Sequence, residues 1–220
     1  ALLPSCTEPP RKPQNPMKIA TFNVNSLKVR MENLKVWLKE ADPDVVCLQE
    51  TKSTDETFPR AELEDLGYNL AIHGQKTYNG VALISKYPLE DIRIGLPGAD
   101  SDEQARYIEA VIPAGDTVLR VASIYLPNGN PVDTEKFPYK LRWMERLKAH
   151  AAELLTYEEP LVLAGDYNVI PTADDVYDEK AWEGDALTQP QSRAALREII
   201  NLGFTDAFRA CHAEPHRYTF

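Results

Sequence analysis

Apolar segments of the sequence end in polar side chains that would be costly to bury. The segment IATF is followed by Asn23 and Asn25, VVCLQ is followed by Glu50, and LVLAG is followed by Asp166 and Asn168. Carboxylates and carboxamides without paired His or Cys side chains are oxygen ligands that suit Mg²⁺ or Mn²⁺, cations that bind substrate phosphates. The residue types therefore predict metal-dependent phosphoryl chemistry.

Each residue of this set has a role that its chemistry favours. Glu50 would be the main metal ligand and Asn23 would help it, with Asp166 and Asn168 in the same metal set. Asp166 would also deprotonate an attacking water, and Asn168 would donate to a non-bridging phosphate oxygen. Taken singly, each residue could instead be a strand-end turn or a helix cap, where Asp and Asn are common. The order QETK directly after VVCL favours a site, because turn chemistry does not require that order.

The elements that must position these residues are short strands separated by amphipathic stretches. The predicted strands, bounded by Gly, Pro and Asp turns, are MKIATFN, VVCLQ, YNLAIH, GVALIS, YIEAVI, VLRVASIYL and LVLAG. Apolar residues at helical spacing predict helices over 34–41 and 141–155, and Gly203 is a candidate helix C-cap. The pattern predicts an α/β fold, a four-layer α/β sandwich of two mixed β-sheets flanked by helices. Polar strand ends could then converge on one crevice.

Composition limits the possible classes of protein. The 220 residues are 43% hydrophobic and 26% charged, which is ordinary for a globular domain, and no apolar run approaches the ~20 residues of a membrane-spanning helix. The net charge of −10 argues against a protein held on nucleic acid by bulk charge, so any DNA contact must be local. Cys6, Cys47 and Cys211 form no CxxC pair, which favours reduced thiols and a cytoplasmic location.

Residues 1–16 are rich in proline and poor in apolar side chains, and we expect them to be a disordered leader. Met17 begins an apolar, β-branched run at once. The predicted domain therefore covers residues 17–220.

The motifs of this domain follow one another in a recognisable order. They are FNVNSLKVR, PDVVCLQETK, LGYNLAIHGQKTYNGVALISK, SIYLPNGN, KFPYKLRW and LAGDYNVIPT. Together they resemble the exonuclease III family of apurinic/apyrimidinic endonucleases, whereas GDYN alone is typical of the wider endonuclease, exonuclease and phosphatase superfamily. The resemblance implies that Asn23 and Glu50 form the metal-site pair, that Asp166 is the water-activating base and that Asn168 is a phosphate ligand.

The same resemblance adds residues that spacing alone does not identify. Tyr125 matches the family's active-site tyrosine, whose phenol would hydrogen-bond the scissile phosphate; without the resemblance it would be a half-buried strand tyrosine. Asn128 matches a position that touches the phosphate. Arg106 matches a basic residue that faces the DNA backbone, and a surface salt bridge explains it equally well.

The remaining histidines and cations receive structural expectations. None of His73, His150, His212 and His216 matches the family's catalytic histidine; we expect His73 to be structural and His150 to lie on the surface. A local basic rim, or alternatively a solvated helix face, is expected for Lys28, Arg30, Lys136, Lys140 and Arg142.

The resemblance implies a monomeric, cytoplasmic, Mg²⁺- or Mn²⁺-dependent phosphodiesterase that acts on double-stranded DNA with abasic sites or 3′ ends. It would cut the backbone 5′ to abasic sites, with 3′-to-5′ exonuclease and 3′-phosphatase activities. The chain stops at HRYTF, where the family continues into further strands and a Ser-Asp-His segment, so we expect a domain that lacks its last strands and is poorly active. The alternatives are another phosphodiesterase of the superfamily, such as a sphingomyelinase or an inositol polyphosphate phosphatase, or a non-catalytic DNA-binding fragment.

Overall fold

The computed structural model describes residues 17–219, and the leader predicted for residues 1–16 lies outside the described residues. The described chain forms two four-stranded sheets with helices on their outer sides. The predicted strand segments all form strands, with ends that move by no more than two residues.

Sheet A has the strand order β1-β2-β4-β3, where β1 is Ile19–Asn23, β2 is Val45–Gln49, β3 is Asn69–His73 and β4 is Val81–Ser85. Strands β1 and β2 are parallel, and the other pairs are antiparallel. Because strand side chains alternate, Val46 and Leu48 pack under helix α1 (Leu27–Ala41), while Val45 and Cys47 face the other sheet. The short helix α2 (Arg60–Glu64) lies before β3 in the chain.

Sheet B has the order β5-β6-β7-β8, where β5 is Glu90–Ile94, β6 is Tyr107–Ala114, β7 is Thr117–Tyr125 and β8 is Leu161–Asp166. Strands β7 and β8 are parallel, as β1 and β2 are in sheet A. Ala122 and Ile124 pack under helix α3 (Lys136–Leu155) and near helix α4 (Pro190–Ile200), while Val121 faces sheet A. A last helix, α5, spans Ala207–Cys211.

The apolar core between the two sheets completes the layers. Its buried residues are Val45, Cys47, Ala71, Val81, Leu83, Ile108, Ala110, Ile112 and Val121. Helices, sheet A, sheet B and helices therefore stack in four layers, which confirms the predicted α/β sandwich of two mixed sheets. Among residues 17–219, no helix is long and apolar enough to cross a membrane.

Several details differ from the sequence predictions. Strand β5 was not predicted, because its residues EDIRI are all exposed at the edge of sheet B and show no burial pattern. Helix α1 ends at Ala41 as expected, since Asp42 adopts a left-handed conformation before Pro43. Helix α4 ends at Ile200, so Gly203 lies beyond its cap residue, Asn201.

Two side chains of α3 correct the predicted surface. His150 is buried, and its Nε2 atom lies 2.9 Å from Oε2 of Glu109 on β6, so the expected surface position is wrong. Lys140 is fully buried and therefore is not part of a basic rim. Both residues lie on the same helical face as Met144, Leu147, Ala151 and Leu154, which are buried under sheet B.

Candidate active site

The polar ends of strands from both sheets meet at one place. The amide nitrogen Nδ2 of Asn23 lies 2.8 Å from Oε1 of Glu50 and 2.9 Å from Oδ2 of Asp166. Asn23 ends β1 of sheet A and Glu50 directly follows β2 of the same sheet, while Asp166 ends β8 of sheet B. The convergence expected from the sequence is therefore present, and one carboxamide joins the carboxylates of the two sheets.

Glu50 leaves β2 through an unusual backbone conformation. Its φ of +52° lies in the left-handed region, which costs a non-glycine residue about 1–3 kcal/mol. The carbonyl of Glu50 accepts from the backbone N–H of Ser26 at 2.7 Å, and Thr51 donates to the carbonyl of Gly80 at 3.1 Å. These bonds fix the direction in which the carboxylate points.

The GQKTYNG motif packs directly against the QETK loop. A Cβ atom at Gly80 would lie 2.2 Å from Oγ1 of Thr51, and one at Gly74 would lie 2.4 Å from the carbonyl of Ser53. The backbone N–H of Lys52 also donates to the carbonyl of Asn79 at 3.0 Å. Glycine at both ends of the motif therefore allows this loop to brace the loop that carries Glu50.

The carboxyl group of Glu50 is half-buried and surrounded by donors. Lys52 Nζ lies 3.0 Å from Oε2, and the Tyr125 phenol and the Asn23 amide also donate to it. Burial alone would raise the pKa of Glu50, but the hydrogen bonds from Asn23, Lys52 and Tyr125 outweigh it and hold the pKa below its usual value. Glu50 is therefore an anion at neutral pH and presents oxygen atoms to a cation.

Tyr125 and Arg106 form a stacked pair at the end of β7. The guanidinium carbon of Arg106 lies 4.8 Å from the Tyr125 ring centroid, and Nη1 donates to the Tyr125 carbonyl at 3.4 Å. Nε of Arg106 donates to Oε1 of Gln104 at 2.7 Å, and no salt bridge of Arg106 exists within the described residues. Burial and the charge of Glu50 raise the pKa of Tyr125, whereas Arg106 lowers it, and the net effect is a strong rise. The phenol therefore remains a hydrogen-bond donor.

Asp166 and Asn168 lie at the end of β8, and Asn128 follows β7. The backbone N–H of Asn168 donates to Oδ1 of Asp166 at 3.0 Å, and Asn168 has a left-handed φ of +46°. The Asn168 side chain donates to the carbonyl of Leu126 at 2.8 Å and accepts from Nδ2 of Asn128 at 3.2 Å. Both oxygens of Asp166 are thus held by donors, and the asparagine side chains from two loops are joined.

A buried polar link lies directly beneath these residues. Gln49 is almost fully buried, and its Nε2 donates to Oγ of Ser123 at 3.0 Å and to the carbonyl of Cys47. Ser123 in turn donates to the carbonyl of Leu48 at 2.9 Å. This link joins β2 to β7 one residue before Glu50, so it sets the relative position of the two halves of the site.

The donor set fits a hard divalent cation. Glu50 and Asp166 supply carboxylate oxygens, and Mg²⁺ usually needs one or two carboxylates together with substrate phosphate and water. Within residues 17–219, no group of three or more His, Cys, Asp or Glu side chains is arranged to hold a metal ion. The Asn23 oxygen accepts from the N–H of Asn25 at 3.0 Å, so in this orientation the amide nitrogen, not the oxygen, faces the carboxylates.

The other predicted residues occupy varied places. Lys28, Lys136 and Arg142 are exposed, and Arg30 donates to the carbonyl of Asn25 at 2.6 Å beside the site. His73 lies 3.2 Å from the carbonyl of Tyr107, in agreement with a structural role. Sequence reasoning gave no role in the site to Lys140, whose ammonium donates to two site loops; its place on the buried face of α3 was the available signal.

Comparison with known proteins places this geometry in context. The family model described as the endonuclease/exonuclease/phosphatase family matches residues 20–219. Exodeoxyribonuclease III of Haemophilus influenzae is 34% identical over 200 residues, which are 88% of this chain and 75% of that protein.

Solved structures of other proteins are similar to this chain in both fold and sequence. An AP endonuclease from Archaeoglobus fulgidus superposes with a TM-score of 0.87 and 38% identity, over 93% of this chain and 77% of that chain. A 3′ phosphatase from Neisseria, solved with a product DNA hairpin, gives a TM-score of 0.86 and 36% identity, over 91% of this chain and 76% of that chain.

Proposed function

The chain belongs to the endonuclease/exonuclease/phosphatase family, and from this premise we propose that it is a metal-dependent DNA-repair phosphodiesterase. It hydrolyses the DNA backbone 5′ to abasic sites and also acts on 3′ ends. The names of its relatives support both substrates, since they include an exodeoxyribonuclease, an AP endonuclease and a 3′ phosphatase. The observation that carries the proposal is the Asn23 amide between Glu50 and Asp166.

The metal proposed for this site is Mg²⁺, with Mn²⁺ as the alternative, because both accept the same oxygen ligands. Glu50 would be its main protein ligand, with Asp166 and Asn168 beside it. Asn23 would join them after a turn of its side-chain amide, because its nitrogen faces the two carboxylates in this structure. When bound, such a cation neutralises charge on the phosphoryl oxygens.

The side chains of the site would divide the hydrolysis between them. Asp166 accepts a proton from a water molecule whose oxygen forms the new bond to phosphorus, while the bond to the 3′ oxygen breaks. The 3′ oxygen leaves with the electron pair of that bond and takes a proton from solvent, which gives a 3′ hydroxyl group. Asn168 and Asn128 donate to non-bridging oxygens of the phosphate. The protonated phenol of Tyr125 donates to the same phosphate, and Arg106, which stacks on Tyr125, faces the DNA backbone. An abasic nucleotide is cheaper to extrude into such a site, because it has no base to unstack.

The direct test is cleavage of a duplex oligonucleotide that contains one abasic site, with Mg²⁺ or with a chelator. We expect cleavage only with metal, and we expect Glu50→Gln to lower the rate roughly 10³-fold or more, since the groups act together. Glu56→Gln is the matched control, because Glu56 is an exposed glutamate six residues away on the adjoining loop. Metal-independent cleavage, or full activity of Glu50→Gln, would contradict the proposal.

Parallel substrates separate this function from its alternatives. Duplexes with a 3′-phosphate or a recessed 3′ end measure the balance between phosphatase, exonuclease and endonuclease activities. Hydrolysis of sphingomyelin or an inositol polyphosphate without cleavage of DNA would favour another phosphodiesterase of the superfamily. Binding of abasic DNA without any cleavage would favour a non-catalytic module. The monomeric state and the cytoplasmic location stay predictions.

A further inference from the structure

Lys140 is a cation without contact to solvent, which is rare for lysine unless its charge is satisfied. Its ammonium donates to the backbone carbonyl of Asn128 at 3.1 Å and to the backbone carbonyl of Asn168. These are the two residues whose carboxamides are proposed to bind the substrate phosphate. Asn128 lies between β7 and α3 and Asn168 follows β8, so one side chain joins two loops that are 40 residues apart.

The surrounding chain is shaped to admit this side chain. Gly129 has a φ of +91°, and a Cβ atom there would lie 2.7 Å from Cδ of Lys140 and 3.1 Å from Cβ of Ala186. The 185–187 segment is fixed to the same loop, because Asn130 accepts from the Ala186 N–H at 3.0 Å and donates to Asp185 at 2.9 Å. Lys140 therefore passes through a gap that only glycine leaves open.

The ammonium group of Lys140 has three N–H donors and no acceptor. It can therefore donate to both carbonyls at once.

We propose that Lys140 is a positioning residue, whose buried ammonium holds the Asn128 and Asn168 loops together and thereby orients both carboxamides toward the substrate. The binding of substrate by these two carboxamides rests on the proposed function, whereas the contacts of the ammonium with both loops do not. Without the ammonium, the hydrogen bonds that the structure of residues 17–219 shows between these two segments are the bond between the two asparagine side chains, the bond from Asn168 to the Leu126 carbonyl and the backbone bond from Leu126 to the Asp166 carbonyl.

The first test is spectroscopic and does not need activity. The chain is labelled with ¹⁵N-asparagine, and the side-chain amide signals of residues 128 and 168 are assigned from the Asn128→Ala and Asn168→Ala variants. Lys140→Met, which keeps the unbranched stem, should shift or broaden both signals. Lys136→Met, which removes an exposed lysine from the same helix, should change neither. Unchanged signals in folded Lys140→Met would overturn the proposal.

Gly129→Ala keeps the test decisive if Lys140→Met does not fold. The added methyl group displaces the Lys140 stem, and we expect the Asn168 side-chain signal to shift, although residue 168 is distant in sequence. An unchanged Asn168 signal in this variant would also overturn the proposal.

The second test is kinetic, on the abasic duplex. Lys140→Met should lower kcat/KM about 10- to 100-fold, the usual loss on removing a group that orients a ligand. In an Asn168→Ala background the same substitution should cost much less, because the group that it positions is already gone. Equal losses in both backgrounds would indicate a merely structural role. If the unsubstituted chain cleaves no DNA, the proposed function fails, while the amide signals still decide the role of Lys140.

Discussion

Glu109 is a buried carboxylate away from the active site, and its replacement by glutamine tests how much this interior charge contributes to the stability of the fold. Only 1% of Glu109 is exposed. Its Oε2 accepts from the Tyr107 phenol and lies 2.9 Å from His150 Nε2, while its Oε1 lies 3.2 Å from Arg93 Nε and 3.5 Å from Arg120 Nη1. In glutamine one of these oxygens is replaced by an NH₂ group. At the Oε1 end it would face the guanidinium groups of Arg93 and Arg120, which can only donate, and at the Oε2 end it would require Tyr107 and His150 to accept. Glu109→Gln therefore removes the charge and changes the hydrogen bonds of its partners at the same time.

The expected loss in the free energy of unfolding depends on the ion pairs and solvent contacts that the partners of Glu109 keep. Breaking a buried ion pair costs about 3–5 kcal/mol, mostly because the remaining charge is left without compensation. Arg120 keeps Asp91 at 3.0 Å and Glu159 at 3.1 Å, and half of the Arg93 side chain is exposed to solvent. We therefore expect the low end, about 3 kcal/mol at pH 7. Glu159→Gln is the control, because it touches the same arginine from a partly exposed position and should cost about 1 kcal/mol or less.

Urea unfolding at several pH values measures this difference. Burial raises the pKa of Glu109, but the hydrogen bonds from His150 and Tyr107 outweigh it, so the folded-state pKa is lowered. A lowered carboxyl pKa contributes stability above the unfolded value of about 4.3, and that contribution is lost as pH falls through the folded pKa. The difference in the free energy of unfolding between wild type and Glu109→Gln should thus become smaller below about pH 4. A gap under about 1 kcal/mol at pH 7, or one that is constant down to acid pH, would refute this reasoning.

Two further predictions concern the strands that carry the site. In Gly165→Ala, the new Cβ would lie 2.0 Å from the Ile124 carbonyl oxygen, which is backbone and cannot turn away, so we expect a loss of about 3 kcal/mol in urea unfolding. Gly95→Ala, also at a positive φ but with no atom within 4 Å of the new Cβ, should lower the free energy of unfolding clearly less. Equal losses for the two variants would show that the backbone moves to relieve the clash at residue 165. Tyr125→Phe should lower kcat on the abasic duplex about 10²-fold, the loss typical of one donor to a developing charge. Because the pKa of Tyr125 is raised, this factor should stay constant up to about pH 10, and a factor that shrinks across neutral pH would contradict a protonated phenol.

The sequence located the acidic half of the site because strand ends are visible in it. Glu50, Asp166 and Asn23 each follow an apolar run, and parallel neighbours deliver their carboxyl ends to one edge. The apolar runs do not show how the two sheets pack against each other. The hydrogen bond from Asn23 to Asp166, which are 143 residues apart, is therefore visible only in the structure.

The errors at Lys140 and His150 share one cause, because a charged or polar side chain on a helix predicts exposure to solvent. Lys140 and His150 lie on the buried face of α3, where helical periodicity alone would have placed them. Their burial depends on partners that are distant in sequence, namely Glu109 for His150 and two backbone carbonyls for Lys140. Strand β5 was not predicted because its residues are exposed and lack an apolar pattern. It is defined by its pairing with β6, which the sequence does not show.

The position of the site across two sheets has a consequence for how such sequences can diverge. Glu50 and Asp166 belong to separate sheets, and packed sheets lie about 10 Å apart at a distance that the side chains between them determine. A larger or smaller residue at Cys47 or Ala110 would shift one carboxylate relative to the other without contacting either. Selection for activity therefore acts on the volume of the side chains between the sheets as well as on the site itself. We expect a substitution that enlarges a side chain on one sheet to be accompanied by one that reduces a facing side chain on the other sheet.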